Sequence, residues 1–511
     1  MAHRTAVTSV QGGVRLSGRA VVSQDLEAVR SKGVRRALRD TPRRIGLMTL
    51  GLVVVGLVLG LVYALALARD SSSVSSLDSR TTEVSATSDL YYRLNDMDAQ
   101  AANALLVGYH PADPSMVPAS VDAAASDAAY ERDRAAADAD LEQVAANPVL
   151  TKQASSLLNV FGDYEAKVAE ALYIDQNTQK EQPATPPATA LSLYNQASSQ
   201  LHSSLLPAAL AITSADSGEV YGSYSSDHSA ITAFGFAVLG LGLFVVVLTV
   251  LGNRYYARRF QRRLSFLVLA AVVALVLGIT GLATQLSEAN QLHVAKQSAY
   301  DSIYALDRAL AVSDDANGDE SRWLLAGLDP SAQDSFFTNA SDVVGLPSVR
   351  PAQAGTDPAV YYQDAAAAIG AVRLNAAADG VSGVSFGGFL GSELGNVTFP
   401  GEGQAAVNTV RAFESYLQDD EKIRADADAG NLTGAVALDI GLQPGQSNYD
   451  FNKYMTSLQS VIQVNTTYFD AAVANGRTGA GATSWAEAVV GELLLLLFVS
   501  LAAYPRLREY R

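Results

Sequence analysis

The chain has 511 residues, a formal net charge of −16 and 49% hydrophobic residues, with only 17% charged. It contains no cysteine, so a disulfide framework, a thiolate metal site and a thiol nucleophile are excluded. A chain of this length holds several domains, and such domains are stable through core packing alone.

Residues 1–44 form a basic tail with ten Lys/Arg against three acids. Within it, residues 24–39 (QDLEAVRSKGVRRALR) read as a short basic amphipathic helix on the inner membrane face, or as a disordered topogenic tail. The first apolar run, residues 45–68, has no charge in 24 residues. About 20 helical residues cross a bilayer core, so this run predicts a first span. A cleaved signal peptide is the rival reading, with Ala64-Leu65-Ala66 as the cleavage site. The long preceding tail and the length of the apolar core both argue against it.

Residues 69–230 form an acidic outer segment with 22 acids against eight bases. Leu90, Leu94, Met97, Ala101 and Leu105 recur at three and four, which predicts one long helix continuing out of the first span. Breakers follow at His110-Pro111 to Pro118, at Asn147-Pro148 and around Pro183 to Pro187. They leave helices over about 119–146, 149–180 and 188–230, the last kinked at Pro207. Four helices with short connections imply an antiparallel four-helix bundle.

Residues 231–252 predict a second span, and residues 264–286 a third whose only strongly polar side chain is Gln285. Between them, residues 253–263 carry Arg254, Arg258, Arg259, Arg262 and Arg263 and no acid. Residues 287–484 form a second acidic helical domain, with breaks near Asp329-Pro330, Pro347 to Pro358 and Asn431 to Gly445 and a Gly-rich insert over 380–403. LLVGYHP begins at Leu105 and LLAGLDP at Leu324; the offset of 219 also separates Ile45 from Leu264. The matched spacing reads as a tandem duplication of span, outer domain, span. Residues 485–504 predict a fourth span flanked by Trp485 and Tyr504, with a basic tail at 505–511. The fold class expected is therefore all-α: four transmembrane helices and two extracytoplasmic four-helix-bundle-like domains.

Basic short segments remain on the cytoplasmic side. Both termini and the arginine loop are thus expected inside a plasma membrane, against anionic lipid headgroups, and both acidic segments outside.

None of the five histidines has a metal-ligand spacing, and no phosphate-binding loop, nucleophile elbow, kinase signature or nucleic-acid motif is present. An enzyme is not expected, and no cofactor or metal is implied. Glu492, within the fourth span, is costly there unless paired, hydrated or protonated. It reads as a polar contact with another span or as an interfacial glutamate. Arg322 and Trp323 precede the LLAGLDP break and are candidates for ligand or partner contact, with core packing the alternative for the tryptophan. The insert residues Glu393, Asn396, Phe399 and Glu402 are further candidates, either on a partner-binding loop or on a plain connection.

Four spans, two helical outer domains, an arginine-rich inner loop and the stretch SELGNVTFPGE at residues 392–402 together resemble the GlnX-type transmembrane proteins of actinobacteria. The LLVGYHP and LLAGLDP turns add to the likeness. The resemblance implies a relay for extracellular glutamate and aspartate: an exported binding protein docks outside, and a soluble serine/threonine kinase (kinase G) receives the signal inside. The lengths of the inner segments carry the same expectation of a separate cytoplasmic output protein. Direct small-molecule sensing, as in chemoreceptor bundles, and a non-sensing scaffold or transport accessory are the alternatives. The oligomeric state stays open.

Overall fold

The computed structural model describes residues 41–107, 123–146, 151–178, 185–260, 265–347, 358–375 and 380–508. The amphipathic reading of residues 24–39 and the arginines at 262 and 263 lie outside them. The described chain is almost wholly helical. In order it forms α1 (Thr41–Val107), α2 (Ala123–Ala146), α3 (Thr151–Gln176), α4 (Ala188–Gln200) and α5 (Leu206–Phe260). Then come α6 (Ser265–His293), α7 (Asp301–Leu325), α8 (Pro330–Val343) and α9 (Pro358–Ala371). A two-residue pair of strands, β1 (Arg373–Leu374) and β2 (Val381–Ser382), precedes α10 (Gly388–Asn396) and α11 (Glu402–Asp428). The chain ends with α12 (Leu432–Asp439), α13 (Ser447–Gly479) and α14 (Ala482–Arg508).

The expected helix pattern of the first segment matches these bounds closely, and α1 is one uninterrupted helix of 67 residues. At Pro207 the helix neither stops nor breaks. Proline has no N–H and its ring crowds the carbonyl four residues back. The chain relieves this with a π-turn at Leu201–Leu205, in which the Leu206 N–H bonds back to the Leu201 carbonyl.

Four helical stretches are long and apolar enough to cross a membrane, as in a multi-pass membrane protein. The chain divides into two compact units. The first gathers the residues up to Leu67, Ala233–Gln285 and the residues from Ala482. Its core packs Leu52 and Leu59 of α1 with Val238 and Val245 of α5, Ala274 and Leu277 of α6, and Leu495 and Val499 of α14. The same helices expose Leu50, Leu57, Leu61, Val250 and Leu493 on their outer faces. An apolar exterior of this extent suits hydrocarbon surroundings.

The second unit is Ala68–Thr232 with Leu286–Gly481. Here the arrangement differs from two separate bundles. One hydrophobic cluster draws Leu94, Leu105 and Leu106 from α1, Phe161 and Tyr164 from α3 and Tyr194 from α4. It also takes Trp323 and Leu324 from α7, Ile423 from α11 and Val436 from α12. A second cluster is built almost entirely from the later segment, around Phe336, Tyr361, Phe413, Tyr416 and Tyr454. Periodicity reveals which face of a helix is apolar but not which neighbour covers it, and here each segment covers the other. The two Leu-Leu pairs illustrate this, since Leu105, Leu106, Leu324 and Leu325 all enter the same core.

The insert at 380–403 folds as β2, the short helix α10 and the turn into α11. The LLAGLDP break has a clear local cause. After α7, Gly327 and Leu328 both take left-handed backbone angles, and the Leu328 N–H returns to the Trp323 carbonyl. Asp329 then caps α8 by accepting from the Ser331 N–H at 3.0 Å, with Pro330 opening the helix.

Candidate functional site

The second unit carries two polar sites, both built where the first acidic segment meets the second. The first is centred on Arg322. On α7 the run from Ser313 to Trp323 (SDDANGDESRW) repeats charge at helical spacing, so Asp315, Asp319 and Arg322 share one face. Arg322 Nη2 donates to Asp315 Oδ1 and to Asp319 Oδ1, each at 2.8 Å, and Nη1 pairs with Asp98 of α1. Gly318 lies against Ala99, letting the two helices approach this closely. Asp98 also accepts from Ser198 Oγ at 2.9 Å and from the hydroxyls of Tyr194 and Tyr164. Asn339 donates to Asp315 at 3.0 Å and to Asp319 at 2.9 Å.

His202, on the π-turn, completes this group. Its Nε2 lies 2.9 Å from Asp315 Oδ1 and its Nδ1 2.8 Å from the Ser198 carbonyl. Both neighbours are acceptors, so both ring nitrogens carry protons. Burial opposes the charge on His202, but the Asp315 hydrogen bond outweighs it and holds the imidazole up at about 9. Burial likewise works against the Asp315 carboxylate, and the His202 and Arg322 cations overcome it and hold the group below the ordinary carboxylate range. Burial leads at Asp319, raised to about 6 even with Arg322 beside it. Every charge in this group has a partner of opposite sign.

The second site is a cavity of about 540 Å³ walled by α1, α2, α7 and α13. Asp96 and Arg93 line it from α1, Asp133 from α2, Asp314 from α7 and Asn448 from the start of α13. Arg93 Nη1 is paired to Asp133 Oδ1 at 2.8 Å, and Gln100 donates to Asp96 at 2.9 Å. Asp314 is 2% exposed, and its Oδ2 has no hydrogen-bond partner among the described residues. Burial, then the charges of Asp96 and Asp133, push its carboxyl well above the ordinary value. Burial and Asp133 raise Asp96 to about 7. Among the described residues no group of three or more His, Cys, Asp or Glu is arranged to hold a metal ion.

The residues singled out in the sequence fall into three places. Arg322 is the centre of the first site. Trp323 is 3% exposed, packed in the shared core with the Arg424 guanidinium 4.6 Å above its ring. The insert residues face inward. Glu402 accepts the backbone N–H groups of Thr398 and Phe399 at 2.6 and 2.8 Å, fixing the turn into α11. Phe399 stacks on Tyr468 at 4.2 Å, Asn396 donates to Ser302 at 2.8 Å, and Glu393 is buried. Burial and the neighbouring Glu402 charge raise Glu393 to about 8. These four side chains pack the unit internally. Within the span unit, Glu492 of α14 lies against Gly56 and Gly60 of α1, where a Cβ at Gly60 would come within 3.0 Å of its carboxyl. The glycine pair makes the room a carboxylate needs between two apolar helices. Arg254 and Arg258 are exposed near the end of α5.

Sequence reasoning passed over Asp98, His202 and the cavity acids, because each looks like one more charge on a solvated helix face. The run of acids at Asp314, Asp315, Asp319 and Glu320 within an apolar-periodic helix was the available signal.

The model of the actinobacterial sensor domain matches residues 73–225. That stretch is similar to an actinobacterial sensor domain. No curated protein and no solved structure matches the chain. The sensor-like stretch contains Asp98 and His202, and its partners at Asp315, Asp319 and Arg322 lie outside the match.

Proposed function

We propose that this chain is a transmembrane signal relay whose acidic helical unit lies outside the plasma membrane and whose termini lie inside. In this reading it responds to extracellular glutamate or aspartate presented by a docked binding protein and signals to a cytoplasmic serine/threonine kinase. The likeness of residues 73–225 to a sensor domain carries the sensing role. Support for a relay comes from the way that stretch is tied to Leu286–Gly481 by the Arg322 group, because a binding event on either segment then acts on both. The charge asymmetry of the sequence supports the orientation. The acidic amino acid and the kinase rest on the GlnX-type resemblance.

The absence of cysteine makes the orientation directly testable. Single cysteines placed at exposed positions, Ala128→Cys and Gln363→Cys, are expected to react in intact cells with a maleimide that does not cross membranes. Arg258→Cys is expected to react only after lysis. The reverse pattern overturns the relay. Crosslinking in native membranes then tests the partners: recovery of an exported solute-binding protein and a kinase supports the reading, and recovery of transport subunits alone supports an accessory role. The cavity beside Asp314 favours a second reading, direct binding of a small molecule by the helical unit.

A further inference from the structure

The relay through a docked protein makes no use of the cavity between α1, α2, α7 and α13. We infer that this cavity is a binding site for the primary ammonium group of a small organic ligand, with Asp314 as its counter-ion. The inference rests on the direct-binding reading and specifies its chemistry.

At about 540 Å³ the cavity is the size of a metabolite site. Asp314 is buried in its wall with Oδ2 unpartnered among the described residues. A buried carboxylate without a partner is retained at a cost to folding, and a bound cation removes that cost. The neighbouring charges select the sign of the ligand. Asp96 and Asp133 add negative potential, and the nearest cation, Arg93, is already committed to Asp133. An anion would meet a guanidinium already neutralised by Asp133, with Arg93 Nε as its vacant donor, and the three carboxyls around it, whereas an ammonium finds a vacant buried acceptor on Asp314. Three further features fit an organic head group. The carboxylates do not converge as metal ligands do. The rings of Tyr92 and Phe451 line the cavity, and aromatic faces accept ammonium groups. The amides of Asn317 and Asn448, hydrogen-bonded to each other at 3.4 Å, offer donors and acceptors to a polar tail.

Two sources share this head group: an α-amino acid and an alkyl amine. Arg132, exposed at the cavity rim, would pair with the carboxylate of the former. The test uses the full chain in lipid nanodiscs, titrated by calorimetry with L-glutamate, its des-amino analogue glutarate, and 1,4-diaminobutane. At least one ammonium-bearing probe is expected to bind, and glutarate is not. Binding of glutamate but not the diamine identifies an amino-acid site, and the converse an amine site. Asp314→Asn keeps the shape and removes the charge. It is expected to weaken binding at least tenfold while leaving the thermal midpoint at or above that of the parent chain. Ser126→Trp fills the cavity from α2, leaves the Asp314 carboxyl in place and is expected to abolish binding. The inference is overturned if neither ammonium probe binds, if glutarate matches glutamate, or if affinity survives either variant. Inverted cysteine labelling would remove the outward relay and leave the cavity assignment standing. Absent binding with the expected labelling would do the opposite.

Discussion

The Arg322 group and the Asp314 cavity sit on the same helix and bury the same kind of side chain, yet they are finished differently. Around Arg322, three carboxylates meet a guanidinium, an imidazolium, an amide and three hydroxyls. Around Asp314, three carboxylates share one guanidinium, and an oxygen is left bare. A buried network whose members are all satisfied fixes one arrangement of the helices; one left incomplete in a cavity is open to a ligand. The difference between the sites thus separates what holds the two segments together from what is available for binding.

The strongest way to break this contrast is Arg322→Ala. It leaves Asp98 and Asp319 in the interior without a cation and Asp315 with His202 alone, and removing one partner of a buried ion pair costs about 3–5 kcal/mol. The unit is expected to unfold about 4–7 °C early, or to lose its cooperative transition, when followed by circular dichroism in detergent. A change of only a degree or two would mean that the group is solvated and does not join the segments.

Asp314→Asn is expected to act in the opposite direction. Removing a charge that burial already opposes is expected to hold stability level or raise it by about 1 kcal/mol at most, since the amide is a polar group of the same shape. A chemical denaturation series on both variants gives the comparison directly, and destabilisation by Asp314→Asn would place that residue with the structural charges.

Proton linkage sharpens the contrast further. His202 holds its proton to about pH 9 in the folded chain, against about 6.5 for a free imidazole. The folded chain binds the proton more tightly, so this contribution is complete below about pH 6.5 and is lost as pH rises towards 9. Asp96 titrates near 7 when folded, against about 3.9 unfolded. Its protonated form is the one folding favours, so the cavity acids lend most stability near pH 4 and lose it by pH 7. Thermal midpoints measured from pH 4 to pH 9 are expected to fall in two stages. His202→Gln reduces the upper stage, to which Glu393 also contributes, and Asp314→Asn reduces the lower one. A single featureless slope unaffected by either change would show that the two sites do not titrate separately.

The smallest expected effect lies at the turn into α11. Glu402→Gln keeps one acceptor for the Thr398 and Phe399 N–H groups but loses the charge, and is expected to cost about 1 kcal/mol, the scale of a single hydrogen bond. It is expected to leave ligand binding unchanged, because neither site touches the insert.

The sequence by itself determined the spans and the helices. Long uncharged runs, the three-and-four recurrence from Leu90 to Leu105, and breakers such as Asp329-Pro330 are local signals, and the forces they report act along the chain. It also singled out Arg322, from its place before the LLAGLDP break, as a candidate for ligand or partner contact. Only the tertiary structure decided who the partners are. Asp98 and Arg322 are 224 positions apart, and nothing local marks one acid among many as buried. The same ignorance of long-range contact turned one shared core into two expected bundles and left open what Glu393, Asn396, Phe399 and Glu402 of the insert touch. Polarity along a helix is written in its own residues, whereas burial is a property of what arrives to cover it.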